Sequence, residues 1–577
     1  MEKGMKIKLV AGAFLAGAFA SLALAGMLLA QQSYAYKEDI TVINIDGVPL
    51  SATVYYPCGF TPTGSYPAVI VSHGDGAMKE VMSLFSQELV KRGWIVVAYD
   101  YRNHGQSGNE PGSVGNVYDT EAIFDHVKNI IPQVNDSRIG LLGHSRGGLT
   151  SMQLSNLHAA EIAATVDIAG PAYNMVTLNT TQPRNLLVIA GDEDVNVPPY
   201  EALKILNDTT GGGNTPDLLY GSFSLGTARK LHWVDAGHTK ILFMKETYVE
   251  AVEWFEMAFF GSVRYPVSTT YEAQIAVMAV TAGLGILCFF WAIFAVHHVL
   301  DAKKVIKHDT PARVEGEKST GKKLLPLETL AFAAAIGGVS AGIILLLRIF
   351  DLEWGDILMF GTLVPTTYLV YYSIVPLLVI GGAALGFWGI RKVIMKQWSK
   401  RGKKWASKAY QTSVKGRGLT SAGLGAGFFL LLYAVIGIIS FPLANTFLNP
   451  NRMFLFLYLA LLLLVPNLAC ALLTFEGIQT KFPRRYFQDS WATLLLGILG
   501  RGIVIGALYL VNVLSTRTLH VGVMYLDTLM ALILFMALNV FISTVSYHYF
   551  RSVIQEIVFN TLVIAWILTC LGNMVIF

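Results

Sequence analysis

The chain has 577 residues, of which 53% are hydrophobic and only 14% are charged. Because a soluble globular protein carries about 25% charged residues, this composition excludes a chain that is soluble along its whole length. The net charge of +4 says little by itself, and the four cysteines form neither a disulfide framework nor a Cys-x-x-Cys metal pattern. We therefore expect much of the chain to have the lipid bilayer as its partner.

The first predicted element is an uncharged apolar run over residues 9–30. It is long enough to cross a bilayer, which takes about 20 residues. Lys3, Lys6 and Lys8 precede it, so the N-terminus is expected to be cytoplasmic. Two interpretations of residues 1–36 stay open: an uncleaved transmembrane anchor, or a signal peptide cleaved near residues 33–35. In both, the residues that follow emerge outside the cytoplasm.

Short apolar segments alternate with amphipathic ones from residue 37 to residue 262. The predicted strands are 68–74, 94–100, 138–143, 165–170, 185–191 and 230–237, and the predicted helices include 85–93, 119–131 and 249–260. Such alternation, with nearly continuous apolar strands, predicts an α/β domain with a mostly parallel sheet and helices on both faces. The ligand site of such a sheet lies at the carboxyl ends of its strands. Residues 207–228 are expected to form a flexible excursion.

A glycine-rich turn follows the predicted strand 138–143. Residues 143–147 read Gly-His-Ser-Arg-Gly and match G-x-S-x-G, in which a strained strand-to-helix turn exposes the serine hydroxyl. This pattern predicts Ser145 as a nucleophile, which needs a base and an orienting carboxylate further along the chain. His238 follows the strand 230–237, and Asp192 and Asp194 both follow the strand 185–191. From position alone, either carboxylate could orient the base.

Five motifs in this order resemble the α/β-hydrolase superfamily, in its dienelactone hydrolase-like and serine esterase branch. They are HGDG (73–76), DYRNHGQS (100–107), GHSRGG (143–148), GDEDVNVP (191–198) and GH (237–238), and the resemblance covers about residues 40–260. It implies that Ser145 is the nucleophile, that His238 is the general base and then the general acid, and that Asp194 orients His238. Asp192 is the nearest alternative acid, and Asp100 is a more distant one.

The resemblance also implies an oxyanion hole made by the backbone N–H groups of Arg146 and Asp75. A carboxylate at position 75 departs from the small or apolar residue that is often found there. His73 is expected to hold its own loop, and His144 to pack beside the serine turn. The sequence has no metal-ligand cluster and no nucleotide motif, so neither a metal nor a cofactor is expected.

Apolar runs return after the α/β domain and continue to the end of the chain, so residues 263–577 are predicted to form an all-α membrane domain. Its eight predicted spans lie near 271–298, 325–349, 363–390, 419–444, 453–475, 491–513, 521–546 and 554–577. Basic residues fall on alternate loops, most densely in 301–323 and 391–417, as the positive-inside rule requires. This topology explains the basic loops without a nucleic-acid partner, and it places the α/β domain and the C-terminus outside. Arg501 and Asp527 are expected deep in the spans, as a packing pair rather than a transport path.

Together these patterns predict a multi-pass protein of the cell membrane whose serine hydrolase domain acts outside the cytoplasm. The expected substrate is an ester or thioester, for which a lipid-linked molecule is a candidate. The interval 171–184 is too short for a cap domain. Three alternatives stay open: an acyltransferase that uses the same triad, a peptidase, and a transporter or receptor with an accessory hydrolase domain.

Overall fold

The computed structural model describes residues 34–265, apart from 109, 111–115, 172–175 and 195. It also describes the helices Gly418–Ile439 and Val553–Leu571, together with residue 17 and several positions between 453 and 464. Nearly all of the predicted segment 9–30, nearly all of the other predicted spans, and Arg501 and Asp527 lie outside the described residues.

A single eight-stranded sheet organises residues 34–265. Its strands are β1 (Tyr34–Ile43), β2 (Pro49–Pro57), β3 (Tyr66–Ser72), β4 (Ile95–Tyr99), β5 (Val134–His144), β6 (Ile162–Ile168), β7 (Leu186–Gly191) and β8 (Arg229–Val234). They lie in the order β1-β2-β4-β3-β5-β6-β7-β8. β1 and β2 pair antiparallel, as do β2 and β4, and every other neighbouring pair is parallel. The predicted mostly parallel sheet is thus confirmed.

Helices cover both faces of this sheet. They are α1 (Ser83–Val90), α2 (Val117–Ile130), α3 (Arg146–Leu157), α4 (Pro199–Thr210) and α5 (Lys245–Phe260). Strand β3 shows the two-sided burial: Val69 and Val71 belong to the core under α1 and α5, while Ala68 and Ile70 belong to the core under α2. Successive strand side chains point to opposite faces, so a strand that is apolar throughout must be covered on both sides.

Two local expectations need correction. β1 begins at Tyr34, inside the segment 1–36 that was assigned to the anchor, because backbone pairing with β2 extends the strand although its side chains are mostly exposed. The start of the expected excursion 207–228 belongs to α4, which ends at Thr210 before Gly211 in the left-handed conformation. The remainder returns through a bridge between Tyr220 and Arg229 to β8, so this segment has regular contacts with the sheet.

Two helices of the C-terminal half are described, α6 (Gly418–Ile439) and α7 (Val553–Leu571). They pack together through ring contacts of Phe429 and Tyr433 with Trp566. Gly425 faces the α7 backbone so closely that a Cβ atom there would lie 2.6 Å from the Gln555 carbonyl oxygen. No helix within the described ranges combines the length and the apolar character needed to span a bilayer.

Candidate active site

Ser145 lies at the carboxyl end of the central strand β5, at the turn into α3. Its φ of 54° and ψ of −118° fall in a region that non-glycine residues rarely adopt. Its backbone N–H donates to the Ile168 carbonyl at 2.8 Å, which ties the turn to β6. Because such a conformation costs on the order of 1–3 kcal/mol, the surrounding contacts must hold it in place.

Three glycines let the chain pass closely enough to form this turn, here called the serine elbow (residues 143–148). A Cβ on Gly143 would lie 2.0 Å from the Gly147 carbonyl oxygen, and one on Gly147 would lie 2.4 Å from the Ser72 carbonyl oxygen. A Cβ on Gly148 would lie 1.9 Å from a carboxyl oxygen of Asp167. Real Cβ atoms essentially never approach that closely, so the backbone contacts require glycine at positions 143 and 147, and a side chain at 148 would require the Asp167 carboxyl to move.

The structure brings Asp194 and His238 into direct contact. His238 Nδ1 lies 2.7 Å from Asp194 Oδ2, and both residues are buried. The other oxygen, Asp194 Oδ1, accepts from the backbone N–H groups of Asn196 at 2.8 Å and Val197 at 2.9 Å. Asp194 is therefore fixed by its own loop, and because a carboxylate can only accept, Nδ1 of His238 carries the proton of their hydrogen bond. This leaves His238 Nε2 as the nitrogen that could accept a proton.

The two alternative carboxylates are placed differently. Asp192 is exposed, whereas the ion pair of His238 in the described domain is with Asp194. Asp100 is fully buried and is bound to Lys79, whose Nζ lies 2.7 Å from Asp100 Oδ2 and whose backbone N–H donates to Oδ1 at 2.7 Å. Burial raises the pKa of Asp100, but the combined effect of Lys79 and the other neighbouring groups, including the backbone N–H of Gln106, lowers it to about 2. Of the three candidate acids, only Asp194 reaches the imidazole.

Within the described residues, Ser145 Oγ and His238 are not joined by a direct hydrogen bond. The ring of His144, the residue directly before Ser145, has its centroid 4.8 Å from that of the His238 ring. Nucleophile–base hydrogen bonds are often long without substrate and shorten in the reactive complex. Ser145, His238 and Asp194 thus all follow the carboxyl ends of strands, and only the contact between His238 and Asp194 is formed.

The loop after β3 lies directly against Ser145. A Cβ on Gly74 would be 3.1 Å from Ser145 Cβ and 2.9 Å from His144 Nδ1. Asp75, the next residue, points its carboxylate at the Arg146 guanidinium, and Nε of Arg146 donates to it. The two residues whose backbone N–H groups were predicted to form an oxyanion hole are therefore ion-paired through their side chains. The unusual carboxylate at position 75 is thus neutralised by the residue that follows the serine.

His73 holds this loop by hydrogen bonds, as expected from the sequence. It is fully buried, its Nδ1 donates to the Gly74 carbonyl at 2.7 Å, and its Nε2 accepts from the Tyr101 backbone N–H at 3.2 Å. Burial lowers the pKa of His73, so the ring is neutral and can hold both bonds. Within the described chain, no group of three or more His, Cys, Asp or Glu side chains could hold a metal ion.

Two buried groups near the serine elbow were missed by sequence reasoning. His144 was expected only to pack, but its Nε2 lies 2.9 Å from the His238 carbonyl oxygen. Asp167 on β6 is buried against the elbow, and neither of its carboxyl oxygens has a hydrogen-bond partner of standard geometry. Burial raises the pKa of Asp167 to about 8, and the nearby Gly170 N–H lowers it only in part. Neither feature has a local sequence signal. The His144 contact joins residues that are distant along the chain, and Asp167 is buried by elements that pack against β6.

Residues 65–193 match the family model described as serine aminopeptidase, S33. This segment includes Ser145 and ends just before Asp194. The chain is 33% identical over 116 residues to the uncharacterized protein YcjY of Escherichia coli, an alignment that covers 19% of this chain and 38% of that protein. It is 31% identical over 180 residues to mouse monoglyceride lipase, which covers 30% of this chain and 52% of the lipase.

An esterase of Pyrococcus furiosus is a similar solved structure, with a TM-score of 0.32 and 21% identity over 38% of this chain and 92% of that chain. The first two curated relatives are matched over only 38% and 29% of their own lengths. The family match and the sequence relatives agree with the sheet topology and with the strained serine turn at the end of β5. Residues 34–265 therefore have an α/β-hydrolase fold, and the family match and the sequence relatives support a serine hydrolase.

Proposed function

We propose that this domain cleaves carboxylic esters or thioesters through a triad of Ser145, His238 and Asp194. The observation that carries the proposal is the pairing of a strained, glycine-flanked serine with a buried imidazole whose Nδ1 lies 2.7 Å from a buried carboxylate. A serine hydroxyl is a weak nucleophile unless a base removes its proton, and the base works only if its other nitrogen is held. Asp194 supplies that support.

In the proposed mechanism, Ser145 Oγ attacks the carbonyl carbon while its proton moves to His238 Nε2. The imidazolium that forms is stabilised by Asp194, which remains ionised. In this proposal the backbone N–H groups of Arg146 and Asp75 donate to the carbonyl oxygen and stabilise its developing negative charge. His238 then donates its proton to the leaving group, and a water molecule activated by His238 hydrolyses the acyl-enzyme.

A fluorescent fluorophosphonate tests the nucleophile. Wild-type protein should be labelled, and Ser145→Ala should not. Ser151→Ala is the matched control. Ser151 lies on α3, the helix that follows Ser145, is fully buried, and has no hydrogen-bond partner for its Oγ. Labelling that persists in Ser145→Ala, or that is absent from folded wild-type protein, would refute the proposed nucleophile.

A series of substrates is needed to determine which kind of bond the domain cleaves. The similarity to monoglyceride lipase favours a single-chain lipid ester, and the family model favours an amino-terminal peptide bond. We propose the ester, because a chain with predicted membrane segments on both sides of its hydrolase domain holds that domain beside lipid. Monoacylglycerols, acyl thioesters and aminoacyl anilides should be compared as substrates of the same preparation. Faster cleavage of the anilides would favour the peptidase, and transfer of the acyl group to an added alcohol in preference to water would favour the acyltransferase.

We also propose that the domain works on the outer face of the cell membrane. The alternation of basic loops along residues 263–577 and the lysines before residue 9 support this orientation. A membrane-impermeant fluorophosphonate should then label Ser145 on intact cells as completely as a permeant probe does. Labelling by the permeant probe alone would place the domain on the cytoplasmic side.

A further inference from the structure

His144 connects the nucleophile to the general base. It is the residue directly before Ser145, and its ring Nε2 lies 2.9 Å from the backbone carbonyl oxygen of His238. His238 is held a second time through its side chain, by Asp194 at 2.7 Å. The base is therefore fixed at two points, and one of them is the serine elbow itself.

The direction of the His144 bond follows from the chemistry of its partner. A carbonyl oxygen can only accept, so Nε2 of His144 must carry the proton. Burial, and then the neighbouring His238, lower the pKa of His144 to about 3, so its ring is neutral in ordinary buffers. In a neutral imidazole the other nitrogen has no proton. That nitrogen, Nδ1, faces Gly74 in the loop of the proposed oxyanion hole.

Three separate loops therefore meet at one ring: the elbow that carries His144, the loop with Gly74, and the loop with His238. The bond between His144 and His238 joins residues that are 94 positions apart in the chain. A shift of about 1 Å in reacting groups can cost on the order of 100-fold in rate. The His238 loop has a short 3₁₀ turn, Lys240–Phe243, directly after it, rather than a strand that would fix its position.

We infer that His144 is a positioning residue, whose Nε2–H holds the His238 backbone at the distance from Ser145 that proton transfer requires. This inference rests on the proposed function. His144 does not touch substrate or exchange protons in this role. It acts only through the place of His238, so its loss should slow the chemical step and leave substrate binding unchanged.

The test uses two substitutions of similar length in the full chain. His144→Gln keeps an N–H donor near the position of Nε2, whereas His144→Met fills similar space without a donor. With an ester substrate, we expect kcat of the Met variant to fall by roughly 10- to 100-fold at unchanged KM. The Gln variant should keep most of the wild-type kcat. The rate of fluorophosphonate inactivation, which also needs His238 to remove the serine proton, should follow the same order.

Each outcome decides a different point. Wild-type protein that is inactive and unlabelled would refute the proposed function, whatever the variants do. Active wild-type protein with an equally active Met variant, or with Gln and Met variants that are equally impaired, would overturn the role of the Nε2–H donor. A change in KM alone would do the same. If the Met variant does not fold, His144→Phe replaces it, and failure of both to fold while Gln folds would make the bond structural and overturn the inference.

Discussion

The buried carboxyl of Asp167 predicts an unusual pH dependence of stability. The residue lies on β6 with no exposed surface, and its carboxyl group is wedged against Gly148 and Gly170. Its pKa is raised from 3.8 to about 8 by burial. The folded protein therefore keeps a proton on Asp167 that the unfolded chain releases above a pH of about 4.

The sign and size of the effect follow from this difference. Between a pH of about 4 and about 8, unfolding releases one proton, so the free energy of unfolding falls as pH rises. The slope in this window is about 1.4 kcal/mol per pH unit for a single group. The contribution of Asp167 is complete below its unfolded pKa and is lost as pH rises through the folded value of about 8. From pH 5 to pH 8 the loss amounts to about 3–4 kcal/mol as an upper bound.

Asp167→Asn removes this titration with little change in volume. We expect its free energy of unfolding, relative to wild type, to increase steadily from pH 5 to pH 8. Pulse proteolysis in urea measures the folded fraction of this domain at each pH. Asp136→Asn is the matched control, because Asp136 is an exposed carboxylate of the same domain, and it should follow the wild type. Parallel pH profiles for wild type and Asp167→Asn would refute the assignment of a proton to the buried carboxyl.

Three further predictions concern the candidate site. Asp194→Asn should lower esterase kcat by on the order of 10⁴, because the amide cannot hold the imidazole in its productive tautomer. Asp192 is an exposed carboxylate of the same loop, so Asp192→Asn should leave kcat unchanged, and equal losses in the two variants would reject Asp194 as the acid. Gly147→Ala places a Cβ 2.4 Å from the Ser72 carbonyl oxygen, so thermal unfolding and fluorophosphonate labelling should both show a disrupted elbow, and a fully labelled, equally stable variant would contradict this contact. Asp75→Ala removes a carboxylate but keeps the backbone N–H, so kcat should fall by less than about 10-fold. A loss of 10²–10³, which is typical of a missing oxyanion donor, would show that the Asp75 side chain is needed to form the oxyanion hole.

The sequence predicted the parallel part of the fold well because those strands are apolar on both faces. β4 is buried at every position, and such runs are distinct even without homologous sequences. β1 gave no such signal, since nearly all its residues are at least partly exposed and its order comes from backbone pairing with β2. Helix α4 begins at Pro199, and proline is favoured at the first position of a helix, but the sequence analysis did not recognise this start directly after the acid loop.

The candidate site, like the fold, has residues that the sequence could predict and a contact that it could not. Ser145, Asp194 and His238 could be chosen from the sequence because each follows an apolar strand in a recognisable motif. The preference for Asp194 over Asp192 depended on spacing, and the structure supplies its physical basis: the Asn196 and Val197 backbone N–H groups turn the Asp194 carboxylate inward. No local pattern could have indicated that His144 binds the His238 carbonyl, because that contact depends on how two distant loops pack.

All groups in the proposed chemistry lie between residues 73 and 238, and their mutual contacts are made within the described domain. The contacts of His238 with Asp194 and His144, and of Asp75 with Arg146, thus involve residues of this domain alone. If the predicted membrane segments on either side contribute to catalysis, they must act on access, by bringing a lipid ester to the carboxyl edge of the sheet. A contribution of that kind changes KM for substrates dissolved in a membrane and leaves kcat for small soluble esters unchanged. Kinetics on the two kinds of substrate would therefore separate a role of the membrane segments in substrate access from the chemistry carried out by the domain.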